Sequence, residues 1–127
     1  KMYYVNIRGE LYPYRFLDKY EDLIILTGKE TSNEKIIQNG LTIVRVLDEY
    51  PIVRHLVSEI HFEKNRPYLI LTKNAVQVNV DLNALHENFV YLSAFIRSYG
   101  DELNNKNVKS INLSYKNKIF ISKRGLL

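Results

Sequence analysis

Leu85, Phe89, Leu92, Ile96 and Tyr99 recur at spacings of 4, 3, 4 and 3. Those intervals match the turns of an α-helix, so the five side chains form one apolar stripe. A stripe of this kind must be buried against another layer, and the neighbouring sequence supplies strands. Val76, Val78 and Val80 alternate with Gln77 and Asn79 before it. After it, Ile111, Leu113 and Tyr115 alternate with Ser110, Asn112 and Ser114. A side-chain period of two marks a half-buried strand. A helix between alternating strands predicts an α+β layer arrangement: a mostly antiparallel sheet with two helices packed on one face.

The rest of the chain fits that frame. Met2 to Ile7 reads as a strand ending at Arg8-Gly9, and Leu11 to Asp22 as an irregular connection with a short strand at most. Leu23 to Leu26 is a short buried run broken by Thr27-Gly28. Thr31 and Glu34 have capping-box spacing, predicting a helix to about Tyr50 that Pro51 ends. Its wide apolar face holds Ile36, Ile37, Leu41, Val44 and Leu47, and Gly40 within it points to close packing. Val57 to Phe62 is a strand with Ser58, Ile60 and Phe62 on one face and Val57, Glu59 and His61 on the other. Lys64 to Pro67 reads as a turn, and Lys73-Asn74 joins the two strands that follow. Asp81 or Asn83 caps the second helix, with Gly100 as its C-terminal stop. A hairpin closes the chain: Lys116-Asn117 is its turn and Lys118 to Lys123 its last arm, with Ile119 and Ile121 sharing a face.

Composition narrows the functional classes. The 127 residues predict one domain, residues 1–127, with 46% hydrophobic residues to build a core. Cysteine is absent, so no disulfide framework or thiolate metal site is expected. His55, His61 and His86 lack ligand spacing, and no nucleophile elbow, phosphate loop or dinucleotide fingerprint occurs. The expectation is no catalysis, no cofactor and no metal. The net charge of +4 is concentrated at the end. From Asn105 onward Lys106, Lys109, Lys116, Lys118, Lys123 and Arg124 meet no acidic residue. Strands rich in Tyr and Lys suit RNA, but no such motif is found and nucleic acid is not expected. A terminal basic strand is either an edge defended against aggregation or a docking edge for an acidic partner.

Four stretches in order give the chain a family resemblance. Tyr4-Val5-Asn6-Ile7-Arg8-Gly9 is similar to an aromatic-V-D-x-x-G opening, and Leu23 to Gly28 to an L-P-x-L-x-G segment before a helix. Val57-Ser58-Glu59-Ile60 is similar to a central V-x-E-I strand, and Ser110 to Tyr115 to an x-V-D-L-R-Y strand. Together they resemble the extracytoplasmic β domain of the FtsQ/DivIB cell-division proteins. Ile24 replaces the motif's Pro, Asn6 and Asn112 its Asp residues, and Ser114 its Arg.

The resemblance implies a non-catalytic divisome scaffold on the periplasmic side of the cytoplasmic membrane, at the septum. It implies FtsB/DivIC-like and FtsL-like partners and a role in recruiting or regulating septal peptidoglycan synthesis. It also implies that this chain is part of a longer protein, with a transmembrane helix and a POTRA domain outside residues 1–127. Strand addition to the last strand would involve Tyr115, Asn117, Lys118, Ile119, Phe120, Ile121 and Ser122, with Arg66 (or Lys64) as a further basic contact before the strand at Tyr68. The alternative is a binding module of another cell-envelope assembly system using the same edge.

Overall fold

The computed structural model describes residues 3–5, 11–13, 23–29, 33–103, 107–114 and 119–123. Among these residues eight strands form one sheet: β1 (Tyr3–Val5), β2 (Leu11–Pro13), β3 (Ile24–Thr27), β4 (Val57–Glu63), β5 (Arg66–Leu71), β6 (Gln77–Asn79), β7 (Val108–Asn112) and β8 (Phe120–Lys123). Their spatial order is β2-β1-β3-β4-β5-β6-β7-β8. The helices are α1 (Glu34–Leu47), the single turn α2 (Pro51–Arg54) and α3 (Leu85–Leu103). The fold is α+β as expected, and most strand pairs are antiparallel.

Two pairs are parallel, β3 with β4 and β6 with β7, so the sheet is mixed. Each parallel step needs a crossover, supplied by α1 with α2 and by α3. Both crossovers advance the same way along the sheet between strands of like direction. The right-handed rule therefore puts both on one face, where α1 and α3 touch. Beneath them one register row runs through Leu26, Ile60, Leu69, Val78 and Ile111, all fully buried. Val76, Val78 and Val80 are buried, as their alternation predicts.

Two irregularities change the expected faces. Val57 is buried alongside Ile60 and Phe62, not opposite them. The β4–β5 register shifts between Val57 and Glu59, so Ser58 is an extra residue that returns Val57 to the core face. The β7–β8 register shifts in the same way at Lys109, which brings Val108 inward with Ile111 and Leu113.

The helix ends also differ. Asn33 is the N-cap of α1: its side chain accepts the Lys35 amide at 2.9 Å, while Thr31 of the expected capping box lies outside the described residues. The helix stops at Leu47, where tighter turns carry the chain to Pro51. Neither Asp81 nor Asn83 caps α3 directly. Asp81 instead closes the preceding turn by accepting the Asn83 amide at 2.9 Å, and the Ala84 carbonyl accepts the first helical amide, from Asn88. At its far end α3 kinks at Tyr99 (φ −134°, ψ 30°) and continues through Gly100 to Leu103. At the kink Tyr99 leaves the stripe and is 61% exposed, whereas Phe95 before it and Leu103 after it are buried. The side-chain amide of Asn74 caps the Leu103 carbonyl at 3.0 Å.

Gly40 meets the sheet closely, because a Cβ there would lie 2.9 Å from Leu26 Cδ1. Of the two inner hairpins, β4–β5 turns through Lys64-Asn65, so Arg66 and Pro67 belong to β5. The β5–β6 turn spans residues 72–75, with Asn74 and Ala75 both left-handed.

Candidate partner-binding edge and outer face

β8 is the last strand in the sheet, and all four of its residues are exposed. It pairs on one side with β7: Asn112 with Phe120, Ile111 with Ile121, and Ser110 with Ser122. In an antiparallel pair, alternate residues turn their main-chain groups away from the partner strand. The buried row of the sheet therefore continues from Ile111 to Ile121, where exposure rises from 0% to 39%. Ile119 is half-buried against the core. On the opposite face Phe120 is 49% exposed. Lys109 and Lys123 add two exposed cations.

The expected docking residues are thus only partly brought together. Ile119, Phe120, Ile121 and Ser122 lie consecutively on the edge, whereas Tyr115, Asn117 and Lys118, with the expected hairpin turn, fall outside the described residues. Arg66 stands apart at the start of β5, three strands from β8, or roughly 14 Å at ordinary strand spacing. A groove of about 670 Å³ runs from Arg66 across β6 to the end of β7 and stops short of β8. Arg66, Tyr68, Asn79, Asn112 and Ser114 line it.

The face turned away from the helices carries its own register row. Thr27, His61, Tyr68, Asn79, Asn112 and Phe120 are successive cross-strand partners from β3 to β8. At the β3–β4 end the Thr27 hydroxyl donates to Glu59 Oε2 at 2.6 Å and lies 2.7 Å from His61 Nδ1. His61 Nε2 lies 3.2 Å from Glu63 Oε2. Tyr68 packs on His61 with ring centroids 4.9 Å apart. Its phenol is held above its ordinary ionisation range, chiefly by burial and further by the charges of Glu63 and Glu59.

His86 belongs to a different cluster. Its Nδ1 lies 3.0 Å from the Tyr50 hydroxyl and its Nε2 3.7 Å from Glu49, linking the turns between α1 and α2 to the start of α3. Among the described residues, no group of three or more acidic or histidine side chains is placed to hold a metal ion. No described helix is long and apolar enough to cross a membrane.

Sequence reasoning missed Asn88. It is buried, accepts the Asp81 amide at 2.7 Å and donates to the Leu113 carbonyl at 3.0 Å. It thereby fixes the end of β7, from which the terminal hairpin departs. The signal was available: Asn88 lies three residues after Leu85 and four before Leu92, a polar residue on the apolar stripe.

The family model described as FtsQ/DivIB, C-terminal related, matches residues 1–122. A search of curated proteins finds no match to the chain.

Proposed function

Because the chain belongs to the FtsQ/DivIB C-terminal-related family and so has a role in cell division, we propose that it is a non-catalytic scaffold that docks a partner by strand addition to β8. The observation that carries this reading is the buried row ending half-open at Ile121. An added strand would continue that row and complete the cover over Ile119 and Ile121. Main-chain pairing supplies a general attachment, and alternate side chains supply selectivity.

The occupant is the C-terminal tail of an FtsB/DivIC-like protein, in a complex that also holds an FtsL-like protein. The residue facing Ile121 from the added strand is apolar. Acidic residues in the tail meet Lys109, Lys118 and Lys123. Tyr115 and Asn117 belong to the same docking segment. Arg66 lies too far from β8 for the added strand itself, so it engages a neighbouring partner segment that crosses the groove. The whole protein is anchored by one transmembrane helix outside this sequence and works on the periplasmic side of the septal membrane. There it helps recruit or regulate septal peptidoglycan synthesis.

Proline scanning of β8 tests this mode. Adjacent strand amides point in opposite directions, so of Phe120→Pro and Ile121→Pro one removes an outward-facing amide. Binding of a synthetic partner tail, followed by isothermal calorimetry, is expected to be lost in at least one of the two, with circular dichroism unchanged. Full binding by both folded variants would move the docking site away from β8.

A further inference from the structure

We propose that Asn39 is a modification site whose chemistry α1 controls. Its side-chain amide is stable while α1 lies on the sheet, and it converts to isoaspartate once α1 opens. This is independent of docking at β8.

The reactive pair is set by the sequence. Of the chain's asparagines, only Asn39 precedes a glycine. Glycine has no Cβ to shield its amide nitrogen and leaves the backbone free to bend. In an open chain the Gly40 nitrogen, after giving its proton to a base in solution, attacks the side-chain carbonyl carbon of Asn39. The new C–N bond closes a succinimide ring. The bond from that carbon to the side-chain nitrogen breaks, and the nitrogen leaves as ammonia, taking its last hydrogen from solvent. Water then opens the ring. Attack at the side-chain carbonyl gives aspartate, and attack at the main-chain carbonyl gives isoaspartate. Each conversion takes up one water and releases one ammonia, and nothing is oxidised or reduced.

The fold blocks the first step. Within α1 the Gly40 amide donates to the Ile36 carbonyl one turn back, so its proton is held. Ring closure also requires Asn39 to leave helical backbone angles. Fraying of the helix end does not reach the pair. Ile36 is 1% exposed, and Gly40 is buried against Leu26, so α1 must lift from the sheet before the pair is free.

The same contact keeps the labile pair in place. A Cβ on residue 40 would lie 2.9 Å from Leu26 Cδ1, so close packing of α1 asks for glycine after Asn39. It also makes the change one-way. Isoaspartate carries the main chain through an extra methylene. The hydrogen-bond ladder is interrupted there, and Leu41, Val44 and Leu47 lose their alignment with Ile36. A chain that opens and reacts does not rebuild α1 on the sheet.

The test incubates the 127-residue chain at mildly alkaline pH, in buffer and in guanidinium chloride, and follows the tryptic peptide 36–45 by mass spectrometry. Deamidation of Asn39 is expected to be at least about a hundredfold faster in denaturant, as an open fraction of about one in a hundred or less requires. Asn33→Ala removes the α1 cap and leaves the core intact, so it should speed the reaction in buffer about fivefold. Gly40→Ala, compared in denaturant where folding plays no part, should slow it at least about tenfold. The isoaspartate-bearing chain, separated by its added charge, should unfold at lower denaturant than the parent. Equal rates in buffer and denaturant would overturn the proposal. So would reaction in denaturant at other asparagines but not Asn39, a cap variant no faster than the parent, or an isoaspartate-bearing chain that unfolds with the parent.

Discussion

The side-chain amide of Asn88 donates to the Leu113 carbonyl at 3.0 Å, and through that bond the first turn of α3 holds the root of the terminal hairpin. The same side chain accepts the Asp81 amide, so one buried residue satisfies two main-chain groups that no strand or helix ladder serves. In Asn88→Ala both groups lose their partner. Leaving a buried polar group unsatisfied costs about 1–3 kcal/mol, so the variant should lose about 2–4 kcal/mol in urea unfolding. Asn88→Asp keeps the acceptor but not the donor, and should fall between the two. A loss under about 0.5 kcal/mol for the alanine variant would show that Leu113 finds another donor.

Gly40 and Leu26 should be energetically coupled. Adding a methyl to Gly40 raises helix propensity by about 1 kcal/mol, but it drives a Cβ to within 2.9 Å of a fully buried Leu26 side chain. Overpacking costs about 1–3 kcal/mol, so Gly40→Ala should be neutral to destabilising by about 2 kcal/mol. Leu26→Ala alone should cost about 2–5 kcal/mol. The double variant should be less destabilised than the sum by about 1 kcal/mol or more, measured by a denaturation cycle.

Alkaline pH should weaken the sheet through Tyr68. Its folded-state ionisation lies above the unfolded value, near 10.0, because burial and the charges of Glu63 and Glu59 disfavour the phenolate. Between those two values the unfolded chain has lost a proton that the folded chain keeps, so stability falls as pH rises. The contribution is intact below the unfolded value and is lost through the folded one. Tyr68→Phe should lose less stability than the parent between neutral pH and pH about 11, in melts across that range. Parallel curves for the two proteins would remove Tyr68 as the source.

Partner association at β8 should depend on salt. Lys109 and Lys123 are exposed beside the edge, and no acidic residue follows Glu102 in the sequence. Raising salt from about 0.05 to 0.5 M shortens the Debye length severalfold and should slow association by several-fold, with little change in dissociation. Lys123→Glu should reproduce most of that loss at low salt in stopped-flow measurements.

Much of this architecture is legible in the chain because it is written in local periods. Val76, Val78 and Val80 in and beside β6, the apolar face of α1 and the first turns of α3 are buried where their spacing puts them. The edge strand β8 is legible for a similar reason: it lies in the last alternating run, and the basic residues collect around it. Arg66 and Ser114 are less so. Their shared groove depends on β5, β6 and β7 lying side by side, which no local pattern states.

The sequence by itself determined which segments are strands and helices, which faces are apolar, and that the basic charge falls at the terminal hairpin, because side-chain periodicity acts over one or two turns or pleats. Only the tertiary structure decided that two strand pairs run parallel, that an extra residue at Ser58 and at Lys109 turns Val57 and Val108 inward, and that Tyr99 leaves the stripe at a kink. It alone aligned Thr27, His61, Tyr68, Asn79, Asn112 and Phe120 into one row and gave Asn88 its two partners. Register and crossover are fixed by which neighbours a segment meets, and those contacts join residues far apart in the chain.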